Sequence, residues 1–133
     1  MIEPKFRCGT RTAIDKVAKE LNMPLDDCMQ DWPYEVANSN EIDKYISHYR
    51  RLGDDEKFVL MQAIIQANED QREEESFLKY WIVIQDLLIQ DFHIHEYTVY
   101  YWSCFDNENI EDCWKISPFM RELFVKKLSI LEP

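Results

Sequence analysis

Apolar residues recur along this chain at helical spacing. Ile14, Val17, Ala18 and Leu21 fall at i, i+3, i+4 and i+7, the stripe of an amphipathic helix. Thr10 or Thr12 stands where an N-cap belongs, and the helix stops before Pro24, which cannot continue it. Residues 23–37 read as a loop with short turns, anchored by Trp32 and Tyr34. Asn38, with Glu41 three positions on, forms a capping box. Ile42, Tyr45, Ile46 and Tyr49 give a second stripe, and Gly53 suits the C-terminal cap of that helix. Asp54 begins a third helix, with Asp55 and Glu56 near its positive end; Phe58, Met61, Ile64 and Ile65 mark its inner face. The acid-rich NEDQREEE (68–75) reads as a connection or a solvated helix end. Phe77, Tyr80, Trp81, Ile84, Leu87 and Leu88 form the strongest stripe in the chain. A last helix is capped by Ser117, has Pro118 at its first position, and carries Phe119, Leu123, Phe124 and Leu128.

Between these last two stripes lies HIHEYTVYYWSCFDNENIEDCW (93–114). Its first half fits two periods. Ile94, Tyr97, Tyr101 and Trp102 make a helical face, whereas His95, Tyr97, Val99 and Tyr101 make a strand face. Aromatic and β-branched residues favour a strand. No second strand candidate exists to pair with it, and an isolated strand is unstable. The pattern therefore predicts a helix over about 94–103 and a short helix over 108–115, with Ile110 and Trp114 turned inward.

Length and composition agree. The chain has 133 residues, the size of one domain, and no internal repeat, low-complexity tract or linker interrupts it. Its 46% hydrophobic and 14% aromatic content supplies a core despite many charges. Only two glycines occur, too few for the tight turns of a sandwich or barrel. The expectation is all-α: one helical bundle of about five to seven helices spanning residues 1–133.

Charge narrows the partners. The net charge is −11. From Leu21 to Trp114 there are 21 acidic and 6 basic residues, while the two ends are mildly basic. Such a surface repels nucleic acid and anionic lipid and attracts basic partners. AIDKVAKELNMP (13–24) looks like the opening of a helix-turn-helix unit, but Asp26, Asp27, Asp31 and two prolines follow where base-reading side chains belong. No apolar run resembles a leader or a membrane span. Four cysteines without zinc-finger spacing point to reduced thiols in the cytoplasm.

Catalytic chemistry has little to stand on. Neither a glycine-rich phosphate loop, a nucleophile elbow nor an HExxH is present, so the chain is expected not to be an enzyme and to use no cofactor. His93 and His95 could hold zinc from a strand, where i and i+2 share a side. In a helix they point about 200° apart and cannot. Cys104 and Cys113 are flanked by Asp106, Glu108, Glu111 and Asp112, the wrong surroundings for a reactive thiolate. The aromatic cluster Tyr97, Tyr100, Tyr101, Trp102, Phe105 and Trp114 is mainly core, yet six rings cannot all turn inward from one short helix and a loop. Tyrosine and tryptophan are enriched at binding hot spots. The expected partner-binding residues are therefore Tyr100 and Trp102 within the acidic rim of Asp106, Glu108, Glu111 and Asp112. Trp32 and Tyr34, beside Asp26, Asp27 and Asp31, form a second candidate.

In size, charge and helix content the chain resembles the small acidic immunity proteins of bacterial toxin systems. DWPYEVANSNEI (31–42) and YTVYYWSCFDNENIEDCWKISPFMREL (97–123) look like signatures of a bacterial protein group. The resemblance implies an intracellular protein that occludes a basic toxin; it carries over no residue roles. A scaffold role, as a homodimer through exposed aromatics, and a small-ligand or metal site at His93 and His95 are the alternatives.

Overall fold

The computed structural model describes residues 3–26 and 31–131, with side chains up to Lys127. Asp27 and Cys28, and the side chain of Leu128, lie outside the described set. The fold is all-α. Among the described residues there are seven α-helices, two 3-10 turns and no strand. Two compact units are formed, Cys8–Ile84 and Met1–Arg7 with Gln85–Pro133. The division falls inside a helix, so no linker composition marks it in the sequence.

The Cys8–Ile84 unit holds α1 (Arg11–Glu20), α2 (Trp32–Val36), a 3-10 turn (Ser39–Glu41), α3 (Ile42–Tyr49), α4 (Asp54–Glu69) and the start of α5 (Glu74–Gln90). Thr10 is the N-cap of α1; its hydroxyl accepts from the Ala13 amide at 3.1 Å. The helix ends in a Schellman-type turn, with Asn22 at φ 52° and the Met23 amide donating to the Ala18 carbonyl at 2.8 Å. Asparagine tolerates this left-handed position better than most residues.

α4 is the centre of this unit, packed on by α1, α2, α3 and the 3-10 turn. The four-residue face expected from the sequence is too narrow. Val59, Leu60, Ala63 and Ala67 are buried as well as Phe58, Met61, Ile64 and Ile65, so α4 is apolar nearly all round, as a helix surrounded by others must be. Each fully buried large aliphatic or aromatic side chain contributes roughly 1.5–3 kcal/mol. Gly53 does not end α3 as a left-handed cap. It is the extended N-cap of α4, at φ −82°, and α3 instead unwinds through amides of Arg51 and Leu52 that donate to the His48 and Tyr49 carbonyls. Asn38 does serve as a cap, but of the 3-10 turn: its side chain accepts from Asn40.

Polar ties join these elements. The Trp32 indole donates to the Pro24 carbonyl at 2.6 Å, and the Asn38 amide to the Tyr45 hydroxyl at 3.1 Å. Lys16 meets Glu56 at 3.0 Å, and the Tyr80 hydroxyl donates to Asp43 at 2.9 Å.

The other unit holds the rest of α5, α6 (Phe92–Ser103), a second 3-10 turn (Ile110–Asp112) and α7 (Ser117–Leu131), with α6 packed on α7. The ambiguous stretch is helical, and begins two residues earlier than the periodicity predicts. Its inner face is Ile94, His95, Thr98, Val99 and Trp102. The short helix expected over 108–115 is a single 3-10 turn, and Ile110 is 37% exposed where an inward position was expected. Asparagine explains the difference. The Asn107 side chain accepts from the Asn109 amide and the Asn109 side chain from the Glu111 amide, local bonds that compete with a helical ladder. Ser117 is the first residue of α7 rather than its cap, which makes Pro118 the second. Fully buried, Ser117 donates its hydroxyl to the Trp102 carbonyl at 2.7 Å and so ties the start of α7 to α6.

Candidate functional site

α6 ends at Cys104, whose left-handed backbone (φ 58°, ψ 42°) turns the chain into the segment 104–113. That turn aligns the end of the aromatic helix with an acidic loop. Between them lies an open groove of about 480 Å³. Tyr97, Tyr100 and Tyr101 come to it from α6, and Phe105 and Trp114 from the two ends of the loop. Asp106 and Glu3 put carboxylates in its wall, and no lysine, arginine or histidine is among its described lining residues.

The rings form two clusters. Tyr100 contacts Phe105 at 5.8 Å between centroids, and both contact Phe124 of α7 at 5.6 Å. Trp114 lies 5.5 Å from Tyr101 and 4.6 Å from Trp102. Tyr101 is 42% exposed, Tyr100 and Trp114 are half-buried, and Phe124 is buried. Rings packed on one side and wet on the other are pre-ordered for contact at small entropic cost. Burial, and then the charges of Glu3 and Asp106, raise the Tyr100 phenol above its ordinary value. The phenol thus stays neutral and its ring faces negative potential.

Arg121 of α7 holds the loop in place. Its Nε donates to the Ser103 carbonyl at 2.7 Å, and its Nη2 to the carbonyls of Cys104 at 2.7 Å and Asn107 at 3.1 Å. Its guanidinium also lies over the Phe105 ring, 5.5 Å from the centroid. Cys113 Sγ is 3.7 Å from Nη2 and 3.8 Å from the Cys104 carbonyl.

The expected partner-binding residues are only partly brought together. Tyr100 and Asp106 stand in the groove. Glu108, Glu111 and Asp112 follow on the same loop, exposed, but do not line it. Trp102 is 2% exposed and supports the groove from beneath; its ring is on the buried face of α6, so it is not offered to a partner. Trp32 is 1% exposed, its indole spent on the Pro24 carbonyl, and it belongs to the core of the Cys8–Ile84 unit. Tyr34 is half-buried on α2. Sequence reasoning did not single out Glu3 or Arg121. Glu3 reaches the groove across more than ninety positions of chain, and nothing local to Arg121 marks it as the residue that would gather the loop carbonyls.

No family model, curated protein or solved structure matches the chain. The groove's own chemistry is what bears on function.

His93 is exposed, whereas His95, two residues on along α6, is completely buried, so the pair does not share a face. No group of three or more histidine, cysteine or acidic residues able to hold a metal ion occurs among the described residues. Burial, and then the hydrogen bond with the Cys113 thiol, push the Cys104 thiol up to about 11. At neutral pH it is a protonated wall of the groove. No described helix is long and apolar enough to cross a membrane.

Proposed function

We propose that this chain is a protein-binding module that seats a basic segment of a partner in the groove at the end of α6. The observation that carries the proposal is the pairing of half-exposed rings with carboxylates in a groove that has no basic side chain among its described lining residues. A lysine or arginine side chain there meets two favourable terms at once. Its stem covers aromatic surface, and its charge lies over ring faces and against Asp106 and Glu3. Glu108, Glu111 and Asp112 extend the negative field outward from the groove. Such a field raises association rates by roughly 10–10³-fold at low salt, while the rings govern how slowly the partner leaves.

The likeness in size and charge to bacterial immunity proteins extends this reading. In that role the chain works inside the cell, catalyses nothing, and neutralises a basic toxin domain by covering its working surface. Cells expressing a toxin domain encoded beside this chain, with and without it, test that extension by survival.

The binding reading itself is tested with an arginine-rich peptide as probe, followed by tryptophan fluorescence in stopped flow. The association rate is expected to fall steeply with added salt. Asp106→Lys and Glu111→Lys are each expected to slow association while leaving the circular dichroism spectrum unchanged. A flat salt dependence, or equal binding of a glutamate-rich peptide, rules the proposal out.

A further inference from the structure

The segment that carries four exposed carboxylates is bounded by two cysteines, the sulfur of one lying 3.8 Å from the carbonyl oxygen of the other. Cys104 ends α6 and Cys113 follows the 3-10 turn, with Asp106, Glu108, Glu111 and Asp112 between them. Both sulfurs are half-buried and neither is in a disulfide. Two contacts hold the pair together. Cys113 Sγ donates to the Cys104 carbonyl at 3.8 Å, and one Arg121 nitrogen reaches both the Cys104 carbonyl and Cys113 Sγ. Two cysteines nine positions apart in an irregular loop have no reason of secondary structure to meet. Here a half-buried guanidinium arranges the meeting.

We infer that Cys104 and Cys113 are a thiol-modification site, closing reversibly into a disulfide by exchange with a small-molecule disulfide of the glutathione type. The positions of the two sulfurs set the order of events. Cys113 is the sulfur that the Arg121 guanidinium contacts, 3.7 Å from Nη2. It loses its proton and attacks one sulfur of the small disulfide, forming a mixed disulfide and releasing one small thiolate. Cys104 then loses its proton, attacks Cys113 Sγ and releases the second small thiolate. The two protein thiols give up two electrons, the small disulfide takes them, and the two protons end on the two released thiols. Cys104, held protonated by burial, suits the second step, where the electrophile is already tethered next to it.

Oxidation would close residues 104–113 into a ring containing all four loop carboxylates, with Cys104 still in the groove wall. This chemistry does not depend on a basic partner being bound there.

The experiment uses the full chain carrying Cys8→Ser and Cys28→Ser, equilibrated under native conditions in glutathione buffers of graded oxidation, then quenched, alkylated and mapped by mass spectrometry. The expected result is loss of both free thiols together and a cross-linked fragment joining 104 to 113, reversed by reduced glutathione. Cys104→Ser in the same background is expected to trap a glutathione adduct on Cys113. It should form faster than the adduct on Cys104 in the Cys113→Ser chain. Thiols that stay free in oxidising buffer, or that both carry glutathione without cross-linking, overturn the inference. Mapping the wild-type chain reads the same link should the serine background fold poorly. The oxidised and reduced forms are also assayed with the arginine-rich peptide; failure of both to bind sinks the binding proposal and leaves the thiol result standing.

Discussion

Arg121 Nη2 stands 2.7 Å from the carbonyl oxygen of Cys104, seventeen residues earlier in the chain. With the bonds to Ser103 and Asn107, one side chain gathers three carbonyls at and just past the end of α6. Hydrogen bonds from charged donors contribute about 1.5–3 kcal/mol each, and carbonyls stranded by truncation add their own penalty. Arg121→Ala is expected to lower unfolding free energy by about 2–4 kcal/mol in urea titrations. Arg121→Lys should recover only part of this, since one ammonium cannot span a fork. A loss below about 0.5 kcal/mol would show that the loop holds itself.

Ring exposure separates binding from stability. Tyr100→Ala is expected to weaken arginine-rich peptide binding by about tenfold or more, the size of a modest hot spot, and Tyr100→Phe to keep most of it. Trp102→Ala should act on folding instead, costing about 3–5 kcal/mol as a large buried ring is removed. Isothermal titration beside thermal melts distinguishes the two, and equal binding loss in both variants without destabilisation would contradict the assignment.

Lys16 and Glu56 link α1 to α4. The hydrogen bond from Lys16 is the main cause holding the Glu56 carboxyl below its ordinary value, and the same bond raises Lys16. Glu56 therefore contributes stability that is present above its unfolded value near 4.5 and is lost as pH falls through the lower folded value. Lys16 contributes stability that is full below 10.5 and is lost as pH rises through the higher folded value. The wild type minus Lys16→Met difference should be level at neutral pH and shrink at both extremes. Urea midpoints across pH check this; a difference independent of pH would dismiss the pair as a contributor. Its exposure keeps the effect small.

Gly9 sits against the α4 core. A Cβ there would stand 2.8 Å from Val59 Cγ2, and Val59 is a stiff, completely buried side chain. Gly9→Ala is expected to cost about 1–3 kcal/mol by overpacking. Val59→Ala should make room, so the double variant's loss should fall short of the sum of the singles by about 1 kcal/mol. Additive losses would mean that the methyl finds space elsewhere.

Most of the helices were legible because their signals are local. Thr10, Pro24, Asp54 and the stripe from Phe77 to Leu88 act within a turn or two of themselves. The helix over 94–103 followed from an argument of exclusion, the lack of a strand to pair with. What escaped depends on distance. Whether Trp102 or Tyr101 is the wet ring is decided by which side of α6 meets α7, and periodicity alone does not weigh two adjacent faces of similar hydrophobicity. Trp32 looked like an anchor for a partner because its own anchor, the Pro24 carbonyl, lies across a loop. Ser117 and Gly53 were assigned by residue preference; a bond to α6 overrode it at Ser117, and the start of α4 overrode it at Gly53.

The left-handed backbone at Cys104 has a consequence for how freely that position can vary. Glycine would sit there with less steric penalty, by roughly 1 kcal/mol, and would end α6 just as well. It would also strip the sulfur from the groove wall and leave Cys113 with no thiol to face. Backbone comfort and sulfur chemistry thus pull residue 104 in opposite directions, and the side chain that stands there is the one the backbone alone would not choose.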